Sequence, residues 1–267
     1  MNYDTVKSSC LLIFALFFVL TASAQMKYIA HRGASYYAPE NSMAAFKLAW
    51  ELGADGAECD IQLTKDKQIV IWHDDNTERL TGKKLDIAKT NYADLRKLNI
   101  RLSATNTAGF EGQHMPLLKD VLKVLSKDEL FVIEIKCGKE IFPELQKVIR
   151  QYWKTGNIAF IGFGFETMSL AKSCFPKVPC YYLSSSKEDV LKRIPEIQKN
   201  KLDGVDLYSK IIDQPLVDEL RKANAEIWCW TVDALDETIH MKALGVNVIT
   251  TNRPTWLKEQ MAAKVVQ

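Results

Sequence analysis

The sequence predicts an α/β fold: a (β/α)₈ barrel with a small inserted subdomain after the second strand unit. First, β-rich runs alternate with helix-like stretches from Met26 onward, as expected of parallel strands joined by crossover helices. Second, this alternation occupies about 240 residues, close to the ~250 residues typical of such barrels. Third, "GAECDIQLT" and "LFVIEIK" each carry two charged residues two positions apart, which suits the carboxyl ends of barrel strands, where active sites lie.

Eight runs are the main strand candidates: "KYIAH", "GAECDIQLT", "LFVIEIK", "IAFIGF", "PCYYLS", "DGVDLYS", "EIWCWTV" and "NVIT". A ninth run, "QIVIWH", follows the second after only a few polar residues, which is too short for a parallel crossover. We therefore expect a hairpin whose turn centres on Asp66 and Lys67, with His73 opposite Asp60.

Amphipathic stretches between the strands predict the helices. They are Ser42 to Leu52, Pro143 to Tyr152, Lys187 to Lys199 with an interruption at Pro195, Gln214 to Ala223, and Leu235 to Leu244. The polar interval from Asp74 to Met115 breaks this rhythm and far exceeds an ordinary connection of ~2 to 6 residues. We interpret it as an insertion standing on the barrel.

Bulk composition excludes several classes of protein. With 267 residues, 47% of them hydrophobic, the chain is long enough for a large core, so a disordered protein is not expected. A net charge of +2 and the lack of a basic run give no reason to expect nucleic acid. The oligomeric state stays open.

The first 24 residues are interpreted as a signal peptide. Cys10 to Leu20 form an apolar run of 11 residues, followed by Ala22-Ser23-Ala24, a small-residue cleavage pattern. As a helix this run would rise only ~16 Å, too short for a ~30 Å hydrocarbon core. The mature domain, residues 25–267, is thus expected to be periplasmic or secreted, without stable membrane insertion. Of its five cysteines, only Cys174 and Cys180 are candidates for a disulfide, and that pairing is left open.

Carboxylates inside two predicted strands indicate a metal site. Glu58 and Asp60 are two residues apart and therefore share one face of their strand, as do Glu134 and Lys136 in theirs. Buried carboxylates are costly unless they are paired or bind a cation. Three carboxylates against one lysine leave surplus negative charge, and an all-oxygen ligand set suits Mg²⁺ or Ca²⁺.

Two histidines and an arginine are expected beside this cluster. His31 ends the first strand and His73 ends "QIVIWH", so both imidazoles are expected at the barrel mouth, where one can accept a proton and the other donate one. Arg32 and Lys136 are then the nearest fixed cations, suited to holding a phosphodiester.

Three segments resemble the glycerophosphodiester phosphodiesterase family: "HRGASYYAPENS", "GADGAECDIQLTKDKQIVIWHDDNTERLTG" and "FVIEIK". The resemblance runs from about Met26 to Leu257. It implies a (β/α)₈ barrel with a small inserted subdomain, a divalent cation, and hydrolysis of small-molecule glycerophosphodiesters to glycerol 3-phosphate and an alcohol.

The resemblance also implies residue roles. The implied metal ligands are Glu58, Asp60 and Glu134; the implied acid and base are His31 and His73; the implied phosphate and substrate contacts are Arg32, Glu40, Lys136 and Trp230. One position departs from the pattern, since many relatives carry Asp where this chain has Asn252.

Three other functions fit parts of this pattern. A phosphatidylinositol-specific phospholipase C also uses two histidines on a barrel, but no amphipathic segment for a membrane surface is evident. A binding protein for phosphorylated alcohols would not need both histidines. A glycosidase would use paired carboxylates, but Arg32 and Lys136 suit a neutral sugar poorly. The sequence leaves the head group and the choice of Mg²⁺ or Ca²⁺ open.

The signal-peptide interpretation predicts the mass of the exported chain. Cleavage after Ala24 makes Gln25 the first residue of the mature protein. Intact-mass spectrometry of protein produced in an exporting host measures this, and a mass that still includes residues 1–24 would contradict it.

Overall fold

A computed structural model of the protein describes residues 26–101 and 109–265. The predicted signal peptide lies outside the described residues. Within those two ranges, no helix combines the length and the apolar character needed to cross a membrane.

Eight parallel strands close into a barrel at the centre of the molecule. The strands, with one additional antiparallel strand, are β1 Lys27–Ala30, β2 Gly56–Leu63, β3 Ile69–Ile71, β4 Leu130–Ile135, β5 Asn157–Gly162, β6 Cys180–Ser184, β7 Gly204–Tyr208, β8 Glu226–Trp230 and β9 Val248–Thr251. Around the barrel the order is β1-β9-β8-β7-β6-β5-β4-β2, and β1 pairs with β2 to close it. The predicted (β/α)₈, or TIM, barrel is confirmed.

The predicted hairpin is present, but its register differs by one residue from the expectation. β3 pairs with β2 in antiparallel fashion, with Ile61 opposite Ile71. The Trp72 amide donates to the Asp60 carbonyl at 2.8 Å, so Trp72, and not His73, lies opposite Asp60. The reason is local: the Thr64 amide bonds the Gln68 carbonyl at 3.0 Å, which centres the turn on Asp66 alone.

Helices cover the outside of the barrel, and two short helices, the first two after β3, lie in the interval between β3 and β4. The helices are α1 Met43–Glu51, α2 Glu78–Thr81, α3 Tyr92–Leu95, α4 Leu118–Leu122, α5 Phe142–Tyr152, α6 Phe165–Cys174, α7 Lys187–Lys199, α8 Gln214–Lys222, α9 Leu235–Leu244 and α10 Pro254–Val265. The expected interruption at Pro195 was wrong, because α7 is continuous through it. Pro195 has no backbone N–H, so the Leu191 carbonyl one turn earlier lacks its helical partner. Both residues are exposed, so water can bind that carbonyl instead.

Two apolar layers fill the barrel region. A large cluster lies between the outer face of the strands and the helices, and a smaller one fills the barrel interior. Near the amino-terminal ends of the strands the interior is filled by the Tyr181 and Trp228 rings, stacked at 3.9 Å between centroids. This packing leaves the opposite end, where the strands finish, for polar groups.

The interval between β3 and α4 carries α2, α3 and a 3₁₀ turn at Ile87–Lys89. Its apolar side chains pack around the fully buried Trp72 of the hairpin in a third cluster. Elsewhere, Cys174 and Cys180 are both free thiols, so the disulfide left open by the sequence is not formed.

Replacement of Pro195 by Ala should stabilise the protein. Proline inside a helix costs up to ~3 kcal/mol relative to alanine. The unfolded alanine variant has more conformational freedom than the unfolded wild type, which reduces the stabilisation by ~0.4 to 1 kcal/mol. We expect Pro195→Ala to raise the free energy of unfolding by about 1 to 2 kcal/mol in urea denaturation.

Pro215→Ala is the matched control, because Pro215 stands in the first turn of α8, where proline fits. It should bring no gain. An equal gain at both positions, or none at Pro195, would contradict this interpretation.

Candidate active site

A cavity of about 260 Å³ opens at the carboxyl ends of the barrel strands. This is the end of a (β/α)₈ barrel at which active sites lie. Seven of the nine residues selected from the sequence line it: His31, Arg32, Glu58, His73, Glu134, Lys136 and Trp230. Asp60 lies directly behind them and Glu40 lies beside the cavity, bonded to Arg32.

Three carboxylates converge on one side of this cavity. Asp60 of β2 and Glu134 of β4 are register partners, and Glu58 precedes Asp60 on the same face. Glu58, Asp60 and Glu134 each offer an oxygen, and these oxygens lie within 4.8 Å of one another. Glu58 and Asp60 are only 2% and 1% exposed, so little water reaches their charge.

The negative charge in this cluster is only partly balanced. Lys136 lies 3.2 Å from Glu134 and 3.7 Å from Asp60, and Arg32 Nε lies 3.4 Å from Asp60. Burial, followed by the charge of Asp60, raises the pKa of Glu134 to about 7. The same two causes raise the pKa of Glu58 well above its usual range. A further cation would relieve this repulsion.

The loop after β1 places Arg32 by adopting left-handed backbone conformations. Arg32 has φ 55° and Gly33 has φ 78°. A side chain at Gly33 would meet the backbone of Ala45 in α1 at 2.7 Å, so only glycine allows this close approach. In this conformation the Arg32 amide donates to Glu58 Oε2 at 2.8 Å, which ties the loop to the carboxylate cluster.

Asn41 orients Asp60 from the end of the same loop. Its side-chain amide donates to Asp60 Oδ2 at 2.7 Å, and Asn41 is fully buried with φ 56°. Asparagine tolerates this left-handed conformation better than most residues do. The next residue, Ser42, begins α1 by accepting a hydrogen bond from the Ala45 amide.

Glu40 binds two guanidinium groups. Arg32 Nη1 donates to it at 2.9 Å, and Arg79 donates to both of its oxygens at 2.7 and 3.0 Å. Burial opposes ionisation of Glu40, but the hydrogen bonds from Arg79 and the charge of Arg32 lower its pKa. Glu40 therefore holds Arg32 in place and connects α2 to the barrel mouth.

His31 is held by a neutral partner. Its Nδ1 lies 2.9 Å from Asn252 Oδ1, and Asn252 Nδ2 donates to Asp233 Oδ2 at 2.7 Å. Because Asn252 must present its oxygen to the imidazole, Nδ1 carries the proton and Nε2 is left as an acceptor. Burial, reinforced by the Arg32 charge, lowers the pKa of His31.

His73 has a charged partner instead. Its Nδ1 lies 2.7 Å from Asp74 Oδ1, and Asp74 also accepts a hydrogen bond from Arg79 at 2.6 Å. The Gln62 side chain holds the backbone that carries His73 by donating to the carbonyls of Trp72 and Asp74 at 2.9 and 2.8 Å. The two imidazoles of the cavity therefore differ in the charge of their partners.

Aromatic rings surround the mouth of the cavity. Trp230 packs edge-to-face against Phe163, with centroids 5.6 Å apart, and against Tyr208 at 5.5 Å. Its indole N–H donates to the Asp206 carbonyl at 3.2 Å. Trp230 thus lines the cavity at its mouth and also packs against the apolar cluster of the barrel interior.

Several residues of the site were missed from the sequence. Arg79 and Asp74 lie in the polar insertion, where no periodicity indicated which side chains turn towards the barrel. Asp206 lines the cavity from β7, yet it is completely buried. Only its position in the middle of the predicted strand "DGVDLYS" signals it.

Residues 31–255 match the sequence model of the Glycerophosphoryl diester phosphodiesterase family. The chain belongs to this family. A glycerophosphodiester phosphodiesterase from Caldanaerobacter subterraneus subsp. tengcongensis is 32% identical over 239 residues, which cover 86% of this chain and 95% of that protein. A human lysophospholipase D is 24% identical, over 87% of this chain and 85% of its own length.

Solved structures of phosphodiesterases share the fold. An Oleispira antarctica phosphodiesterase in complex with the product sn-glycerol-3-phosphate superposes with a TM-score of 0.81 at 23% identity, covering 89% of this chain and 97% of that one. A glycerophosphodiester phosphodiesterase from Thermotoga maritima gives a TM-score of 0.74 at 21% identity, covering 88% and 98%. The resemblance seen in the three sequence segments is confirmed.

Exchange of the two partners behind His31 should raise the pKa of its imidazole. In the double variant Asp233→Asn with Asn252→Asp, the amide at 233 can still donate to residue 252, but His31 Nδ1 now faces a carboxylate. A carboxylate favours the protonated imidazole, so the pKa should rise by about one unit. NMR titration can follow it, because the chain has only four histidines.

Asn252→Ala is the control for this exchange, since it removes the hydrogen bond without adding charge. It should not raise the pKa of His31. An unchanged His31 pKa in the exchanged variant would show that Asn252 does not contact the imidazole in solution.

Proposed function

We propose that this protein is a metal-dependent glycerophosphodiester phosphodiesterase. It hydrolyses glycerophosphodiesters to glycerol 3-phosphate and an alcohol. The observation that carries the proposal is the meeting, in one cavity, of three clustered carboxylates, two imidazoles with different partners, and the cations Arg32 and Lys136. Two of the relatives named above, from Caldanaerobacter subterraneus and Thermotoga maritima, are named glycerophosphodiester phosphodiesterases.

Glu58, Asp60 and Glu134 would hold a divalent cation, Mg²⁺ or Ca²⁺. Their donor set is all oxygen, as these hard cations prefer. Burial, followed by the charge of Asp60, raises the pKa values of Glu58 and Glu134, and a bound cation would favour their ionised forms. When bound, such a cation stabilises charge that develops on the phosphate oxygens.

Arg32 and Lys136 position the phosphate. Both line the cavity next to the carboxylates, and both are held by carboxylate partners, Glu40 for Arg32 and Glu134 for Lys136. A guanidinium and an ammonium on one side of a small cavity attract the phosphodiester and orient its oxygens. Arg79 supports Arg32 indirectly, through Glu40.

The different partners of the two histidines support different roles for them in this proposal. His31 is buried beside Arg32 and faces the neutral Asn252, so it stays neutral, and its Nε2 can take a proton from water that attacks phosphorus. His73 faces Asp74, a partner for an imidazolium, so it can give a proton to the departing alcohol oxygen as the P–O bond breaks. The water thus supplies the new P–O bond and the alcohol leaves neutral.

We also propose that the protein is exported. The apolar run and the small-residue pattern before Gln25 support this, as argued above.

A substrate panel tests the proposed function. Purified protein is incubated with glycerophosphocholine, glycerophosphoethanolamine, glycerophosphoinositol and phosphatidylinositol, and released glycerol 3-phosphate is measured with and without chelator. We expect release from the glycerophosphodiesters that chelator abolishes. Cleavage of phosphatidylinositol alone would indicate the phospholipase C alternative instead, and full activity in chelator would remove the metal from the mechanism.

Metal-ligand and histidine variants should fail in different ways. Glu58→Ala or Glu134→Ala removes one ligand, so apparent metal affinity should fall and excess cation should partly restore turnover. His31→Ala or His73→Ala removes a proton carrier, which lowers the rate by ~10²- to 10⁴-fold, and added metal should not rescue it. Titration of Mg²⁺ and Ca²⁺ against glycerol 3-phosphate release measures both effects.

Two further variants sharpen this comparison. The His31→Ala/His73→Ala double variant should be scarcely slower than the worse single variant, because groups that act as a unit are not additive. Glu226→Ala removes a barrel carboxylate at the opposite end, where Tyr181 donates to it, and should leave the metal dependence unchanged. Near-normal turnover in either histidine variant would overturn the acid and base assignment.

A further inference from the structure

Asp206 is a buried carboxyl group without a protein partner. It is 0% exposed, and among the described residues neither of its side-chain oxygens has a hydrogen-bond partner. Its neighbours in register are Leu183 on β6 and Trp228 on β8, both apolar at this level of the barrel. Leaving a buried polar group unsatisfied costs about 1 to 3 kcal/mol, so the fold gains nothing from Asp206 by itself.

The side chain of Asp206 belongs to the cavity. Asp206 lines the same 260 Å³ space as Glu134 and Lys136, but it comes from β7, three strands away from β4 around the barrel. Asp206 and Glu134 thus line different sides of one small cavity. A ligand held at the carboxylate cluster can therefore reach Asp206 with its next few atoms.

The missing partner of Asp206 must be a hydrogen-bond donor. In either protonation state at least one oxygen of a carboxyl group can only accept hydrogen bonds, and the oxygens of a phosphodiester, which also only accept, would leave that oxygen unsatisfied. A glycerophosphodiester offers donors in its glycerol hydroxyls and, in some cases, in its head group. An ammonium head group has better partners at the mouth, where the Phe163, Tyr208 and Trp230 rings offer aromatic faces.

We propose that Asp206 binds the hydroxyl groups of the glycerol moiety at the floor of the cavity and thereby determines specificity for glycerol-containing diesters. The inference rests on the proposed function for the identity of the phosphodiester. It makes Asp206 a binding residue, distinct from the groups that move protons. It also places the variable alcohol towards the aromatic mouth.

Two substrates that differ only in hydroxyl groups test this role. Glycerophosphocholine and propyl phosphocholine share the phosphodiester and the head group, but only the first carries glycerol hydroxyls. We expect Asp206→Ala to lower the ratio of kcat/KM for glycerophosphocholine to that for propyl phosphocholine by about 10- to 100-fold, the effect of losing one or two hydrogen bonds to a buried carboxyl. Asp206→Asn, which keeps one acceptor, should lose less. An equal loss on both substrates would overturn the proposal.

A stability measurement separates binding from a structural role. Because Asp206 has no partner in the described protein, Asp206→Asn should leave the free energy of unfolding unchanged or raise it. Asp203→Asn is the matched control from the same segment: it breaks the 2.7 Å ion pair with Lys172 and should lower stability without changing the substrate ratio. Marked destabilisation by Asp206→Asn would show a structural role and overturn the proposal.

Binding of product tests the inference without turnover. Calorimetry compares sn-glycerol 3-phosphate with propyl phosphate on wild type and Asp206→Ala. We expect the wild type to prefer glycerol 3-phosphate and the variant to lose that preference, whether or not diesters are hydrolysed. A variant that keeps the preference would refute the role of Asp206, whereas a wild type that binds glycerol 3-phosphate but releases none from diesters would refute only the proposed function.

Discussion

The mutual repulsion of three carboxylates inside the barrel is the constraint on which the rest of the site depends. Glu58, Asp60 and Glu134 lie on two neighbouring strands, the first two buried and the third half-buried, with oxygens within 4.8 Å of one another. Such a cluster is costly unless positive charge is supplied at fixed positions. Arg32 and Lys136 supply part of that positive charge. The remaining negative charge is what a bound cation would neutralise.

The positive charge is supplied by elements that the fold holds rigidly. The left-handed turn at Arg32 and Gly33 brings a backbone amide to Glu58 and a guanidinium towards Asp60. Glu40 then restrains that guanidinium, and Arg79 of the insertion restrains Glu40. The insertion is thus connected to Arg32 through one carboxylate, in addition to its apolar packing around Trp72.

The barrel and the carboxylate cluster were predictable because both follow from strand alternation. Residues two apart on a strand share a face, so Glu58 and Asp60 had to point together, and parallel strands bring Glu134 beside them. The hairpin register was predicted one residue off, because the Thr64 to Gln68 hydrogen bond that sets it is a local turn detail. Arg79, Asp233 and Asp206 were missed, since their roles arise from contacts between distant segments that no spacing records.

The most direct test of this account is to locate the cation itself. Diffraction data would be collected from crystals of the protein grown with Mn²⁺ or Ca²⁺, at a wavelength at which the ion scatters anomalously. The account predicts one strong peak at the carboxyl end of the barrel, coordinated by oxygens of Glu58, Asp60 and Glu134 at about 2.0 to 2.6 Å. A protein without a peak there, or with its ion bound elsewhere and the three carboxylates bridged only by Arg32 and Lys136, would contradict it.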